Sequence, residues 1–138
     1  MKTLKITGAV VLLSVLTMSF YSFETTNKNN QTTHISADSV LRHVVLFKFK
    51  DGTAPEDIKK VEDAFSSLPS KIPQIKGYEW GVNNSPESLN KGLTHCFFLT
   101  FESEEDRGIY LPHPNHKAFG EVLGPHLDDV LVLDYWTK

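Results

Sequence analysis

The chain has 138 residues, 40% of them hydrophobic, and a formal net charge of −3. That is enough for one compact domain, and it leaves no electrostatic footprint for nucleic acid, whose binding needs a basic stripe. A single cysteine, Cys96, excludes an internal disulfide, and no Cys/His spacing marks a structural zinc site.

Residues 1–23 read as a signal peptide or anchor. Lys2 and Lys5 precede an uncharged, mostly apolar run that ends at Phe23. Cleavage would leave the protein periplasmic or secreted; an uncleaved run would hold it at a membrane. Residues 24–39 are polar, rich in Asn and Thr, and lack apolar periodicity, so they read as a linker. The folded domain is expected over residues 40–138.

Residues 42–50 alternate as a strand, with His43, Val45, Phe47 and Phe49 on one face and Arg42, Val44, Leu46 and Lys48 on the other. Thr53-Ala-Pro-Glu56 has the form of a capping box, and the helix after it carries a stripe of Ile58, Val61, Phe65 and Leu68. Pro69 and Pro73 bracket its exit. A second strand follows over residues 75–82 and a third over 94–101, the latter with His95, Phe97, Leu99 and Phe101 on one face. Ser103-Glu-Glu-Asp106 opens a short helix to about Tyr110. Pro112 and Pro114 forbid its continuation. A further helix spans residues 115–123, stopped at Gly124-Pro125, and a last, nearly all-apolar strand spans 130–136.

The order is β-α-β-β-α-β with the second helix broken at Pro112–Pro114, the ferredoxin-like α+β arrangement of an antiparallel sheet with helices on one face. Several strands are apolar on both faces, yet no second layer remains to cover the other face. Sheet-to-sheet pairing of two copies follows, because a monomer would expose a large apolar patch.

His43 and His95 each lead an aromatic, core-facing strand face, and their place at the beginnings of their strands suggests one end of a cavity. His116 is spaced i, i+3, i+7 with Phe119 and Leu123, on the core stripe of the last helix. Tyr110 ends the helix before it, and His113 sits between the prolines. These rings are either core histidines satisfied by backbone or the walls of a shared polar pocket suited to acid–base chemistry. A zinc site is a third reading, disfavoured because His113 and His116 lack helical ligand spacing and no carboxylate stands out. Cys96 points away from His95 and reads as a small buried hydrophobe.

Taken together, His43-Val-Val-Leu-Phe-Lys-Phe-Lys50, Trp80-Gly81, Thr94-His95, Leu99-Thr-Phe-Glu-Ser103, Tyr110-Leu-Pro-His-Pro-Asn-His116, Ala118-Phe119 and Leu133-Asp-Tyr135 resemble the stress-responsive dimeric α/β-barrel (Dabb) family over residues 41–136. The resemblance implies a ferredoxin-like protomer whose sheet meets that of a second copy to close a barrel. Some members are stress-associated stable proteins. One plant member closes a linear polyketide by aldol condensation with neither metal nor cofactor. By that analogy His116 is the general base and Tyr110 its partner, while His43 and His95 are pocket residues and His113 belongs to the family's proline turn. The expected function is therefore an exported homodimer binding a small carbonyl or phenolic compound, with cofactor-independent cyclase- or lyase-like activity. The alternative is a non-catalytic stress-response or structural barrel. The leader departs from the plant cyclase, which begins almost at its first strand, and this argues against a polyketide substrate.

Overall fold

A computed structural model of the protein describes residues 39–138; the expected leader and all but the end of the expected linker lie outside the described residues. The elements are β1 (Leu41–Phe49), α1 (Pro55–Ser66), α2 (Leu68–Lys71), β2 (Gly77–Val82), β3 (His95–Phe101), α3 (Glu104–Tyr110), α4 (Pro114–Leu123) and β4 (Leu127–Trp136). The strands form one sheet in the order β2-β3-β1-β4, with every neighbouring pair antiparallel. This is the ferredoxin-like α+β fold that the order of elements predicts.

Alternation decides which side chains are buried. Leu41, His43, Val45 and Phe47 of β1 turn to the helices, and their neighbours Arg42, Val44, Leu46 and Lys48 turn away. The same holds for β3, where His95, Phe97, Leu99 and Phe101 are buried. α1 lays Val61 and Phe65 onto this face, and α4 lays down Phe119 and Leu123. Aromatic rings dominate the junction: Phe65 stacks on Phe97 at 4.2 Å and meets Phe119 edge-on at 4.8 Å.

Three local expectations change. The first helix has no capping box, for it starts at Pro55 with Ala54 as N-cap and no side-chain cap. Thr53 instead donates its hydroxyl to the Lys50 carbonyl at 2.7 Å, closing the turn that leaves β1. Pro55 lacks an N–H, so the first turn has one fewer donor to satisfy. The exit from α1 holds an extra helical turn, α2, which Pro69 favours by sitting in its first positions. The last strand begins at Leu127 rather than at residue 130, because Asp128 and Asp129 mask the alternation and Asp128 is an extra residue of β4 where the register with Lys48 and Phe49 shifts.

The second cap stands. The Ser103 hydroxyl accepts from the Asp106 N–H at 3.0 Å. A Ser103→Ala variant is expected to lose about 1 kcal/mol of stability. Urea unfolding checks this, and an unmoved midpoint would count against the cap.

The sheet face away from the helices is covered by nothing among the described residues. In β4, Leu131, Leu133 and Tyr135 lie on it, beside Val44 and Leu46 of β1. Leu133 is 51% exposed and Leu131 43%.

Candidate functional site

The proline break shapes the site. α3 stops after Tyr110, and Pro114 starts α4 afresh. In an unbroken helix the Leu111 carbonyl would receive the Asn115 N–H. Here His113 caps α4, its Nδ1 accepting that N–H at 3.2 Å. The Leu111 carbonyl is left for His116, whose Nδ1–H donates to it at 2.9 Å. A carbonyl can only accept, so this bond fixes the proton on Nδ1 and leaves Nε2 with a lone pair.

His43 is oriented in the same way by a different partner. Its Nδ1–H donates to Asp134 Oδ1 at 2.9 Å. Arg107 Nη1 lies 3.3 Å from that same oxygen. The antiparallel register puts His43 directly beside Asp134 across β1 and β4. Tyr110 is wholly buried between the two imidazoles, 5.7 Å from the His43 ring and 4.3 Å from the His116 ring. Burial pushes its phenol well above the usual range, so it remains a hydrogen-bond donor at ordinary pH.

His43, Tyr110 and His116 line a cavity of about 310 Å³ between the sheet and α3 and α4. Its remaining walls are apolar: Val45 and Phe47 of β1, Val130 and Val132 of β4, and Phe119 and Leu123 of α4. An apolar hollow with a few convergent polar groups has the form of a small-molecule site.

Two predicted residues lie apart from this group. β1 and β3 run antiparallel, so residues at the beginnings of both strands lie at opposite ends of the sheet. His43 stands opposite Leu99, and His95 stands opposite Phe47. Both His95 nitrogens are engaged, Nδ1 with the Thr94 hydroxyl at 2.8 Å and Nε2 with Glu62 at 3.1 Å. His95 also borders a separate hollow of about 360 Å³ around the β2–β3 loop, which is open to the uncovered sheet face through Leu46, Cys96 and Phe98. That hollow is the larger, but it lacks a convergent set of rings. His113 is not among the residues lining the His43 cavity; its ring caps α4. Among the described residues, no three His, Cys, Asp or Glu side chains converge as a metal cage requires.

Asp134, Arg107 and the Leu111 carbonyl escaped the reading of the sequence. The signal for Asp134 was present: alternation puts this one acid of an apolar strand end on the same face as Val130 and Val132. Arg107 falls one helical turn before Tyr110 and so shares its face. The Leu111 carbonyl has no sequence signal beyond the prolines that free it.

An antiparallel four-stranded sheet with helices on one face and a ring-lined cavity beneath them defines a ferredoxin-like α+β protein with a sheet–helix pocket. More narrowly, residues 41–137 match the stress responsive A/B barrel domain (Dabb), and the chain belongs to that family. A stress-response A/B barrel domain-containing protein of Arabidopsis thaliana is 40% identical over 99 residues, covering 72% of this chain and 91% of its own. Olivetolic acid cyclase of Cannabis sativa is 30% identical over 98 residues, covering 71% and 97%. Among solved structures, the hydroxynitrile lyase of Passiflora edulis superposes with a TM-score of 0.68 at 25% identity, covering 72% of this chain and 94% of its own. A dimeric ferredoxin-like protein of Thermobifida fusca superposes with a TM-score of 0.62 at 27% identity, covering 70% and 90%.

Proposed function

We propose that the protein is a homodimer that binds a small carbonyl or phenolic compound in the His43–Tyr110–His116 cavity of each protomer and acts on it by acid–base chemistry. The observation that carries this reading is the pinning of both imidazoles by their Nδ1 hydrogens, one on Asp134 and one on the Leu111 carbonyl. Each ring then offers Nε2 as a base, with a protonated phenol between them. A ligand carbonyl can accept from the Tyr110 hydroxyl. His116 Nε2 can remove a proton from the carbon next to that carbonyl, and Tyr110 can stabilise the enolate oxygen that forms. His43 Nε2 can accept from a ligand hydroxyl. In this reading His95 and His113 are structural, a strand-to-helix tie and a helix cap. A cyclase and a lyase among the relatives support acid–base work on this scaffold.

Dimerisation is supported by the uncovered apolar sheet face and by a solved relative described as dimeric. Export is our reading of residues 1–23; mass spectrometry of the native protein is expected to find a mature N-terminus within residues 17–27, and an intact Met1 chain would overturn cleavage.

The test is a thermal-shift screen with small phenols, aromatic aldehydes and β-dicarbonyls. Ligand at about 100 times its Kd stabilises the native state by about 2.7 kcal/mol, which a melting curve resolves. For any compound then turned over, His116→Ala is expected to lower kcat by about 10²- to 10⁴-fold. Unchanged turnover would remove His116 from the chemistry. If no compound shifts the melting point, the alternative holds: a stable, non-catalytic stress-response barrel, in keeping with the family's description.

A further inference from the structure

Arg107 has no part in the reaction just described, yet its guanidinium forms an ion pair with the carboxylate that orients His43. We infer that Arg107 is a positioning residue that acts through Asp134 to hold His43 as the Nδ1–H tautomer, with Nε2 presented to the cavity. The inference rests on reading that cavity as the functional site.

The carboxylate at the centre of the chain is poorly held without Arg107. Asp134 lies on β4, an edge strand of the sheet, and its side chain is 32% exposed. Its preference in isolation is to turn toward water, where it is solvated on all sides. Turning outward would break the bond to His43 Nδ1, because a single oxygen, Oδ1, receives both the imidazole and the guanidinium. Arg107 comes from the helical layer and Asp134 from the sheet, so the ion pair ties the carboxylate inward, toward the His43 ring. The side chain of Arg107 is itself mostly buried, which limits solvent screening of the pair.

The consequence falls on His43. A free neutral imidazole favours the Nε2–H form, which would turn a donor toward the cavity and remove the base. A carboxylate at Nδ1 reverses that preference, since it can only accept. The helix that delivers Tyr110 to the cavity also delivers the cation that fixes its neighbour, one turn earlier on the same face. Arginine suits this place better than lysine: its planar fork is rigid and always charged, so it fixes direction as well as charge.

Long-range proton–nitrogen correlation spectra of the full chain, labelled with ¹⁵N-histidine and recorded at a pH where His43 is neutral, read the tautomer directly. The native protein is expected to show His43 as Nδ1–H alone. Arg107→Met is expected to lose this single-tautomer pattern, with both ring nitrogens moving to averaged shifts, while the His95 signals stay in place and report an intact fold. Arg107→Lys is expected to recover the native pattern in part. A pure Nδ1–H signal for His43 in Arg107→Met, or an Nε2–H signal in the native protein, would overturn the inference. If Arg107→Met does not fold, Arg107→Gln keeps the stem and a donor without the charge and decides the question by the same signals. None of these spectra needs a ligand, so a failed ligand screen would overturn the proposed function and leave this result standing on its own.

Discussion

Phe97→Ala is expected to lower the stability of the folded domain by about 3–5 kcal/mol. Phe97 has no solvent exposure and sits on β3, an interior strand of the sheet. Its ring lies 4.2 Å from Phe65, 5.1 Å from Phe47 and 5.6 Å from Trp80, so one truncation removes three aromatic contacts at the junction of α1 with the sheet. Each such contact is worth about 0.5–1.5 kcal/mol beyond the area it buries. Small domains have only about 5–15 kcal/mol in total, so a large share of the stability is at stake. Urea unfolding is the measurement, read as a lower midpoint at unchanged slope. A loss below about 1.5 kcal/mol would mean that Phe65 and Phe47 close over the gap and that the cluster is not the keystone its geometry implies. Leu89→Ala is the control: Leu89 is 74% exposed, and its change is expected within about 0.5 kcal/mol.

Most of this architecture was legible because alternation is a strong signal. In β1 and β3 every second side chain from Leu41 to Phe47 and from His95 to Phe101 is buried, apolar at all but His43 and His95, so the faces read correctly from spacing alone. Ser103 was legible because a cap leaves a fixed pattern of residue types. Thr53 had the same pattern and no cap, since sequence cannot tell which of two adjacent residues the chain uses to enter a helix. The start of β4 was hidden for a similar reason. Asp128 and Asp129 look like loop residues until β1 supplies the pairing, Lys48 with Asp129 and Phe49 with Leu127, and carries the strand past Asp128.

The candidate site was partly legible, and the limit is instructive. Tyr110 and His116 are close in the chain, and helical spacing brings them to one interface. His43 joins them across the layers because its strand face is the helix-facing one. His95 reads the same locally, but antiparallel pairing sends it to the opposite end, where Glu62 and Thr94 engage it. A strand's face follows from period two; a position along the sheet requires strand order and direction, which are tertiary facts. Asp134 is the complementary case. Its face was readable, but its role depends on standing beside His43 in the register.

Leu133→Glu is expected to convert the protein into a monomer. Leu133 is half exposed on the uncovered sheet face, paired with Val44 and flanked on β4 by Leu131 and Tyr135. A two-fold dimer buries the same patch from both copies, so each dimer carries the substitution twice. A buried carboxylate without a partner costs about 3 kcal/mol or more. Two of them raise the free energy of association by about 6 kcal/mol, which weakens Kd by more than four decades. A dimer of nanomolar affinity would then have a Kd of roughly tens of micromolar and be mostly monomeric at micromolar protein. Sedimentation at micromolar protein checks this, with Ile109→Glu as the control, since Ile109 is exposed on α3 in the helical layer and away from that face. Dissociation by Leu133→Glu but not by Ile109→Glu assigns the interface to the sheet. A native protein that sediments as a monomer would remove the dimer altogether. A Leu133→Glu chain that stays dimeric would move the interface elsewhere and leave this apolar face without an occupant. Because α3, α4 and the His43 cavity lie on the opposite side of the sheet, the monomer is expected to keep that cavity's ring geometry, so the tautomer of His43 in Leu133→Glu should match that of the native protein.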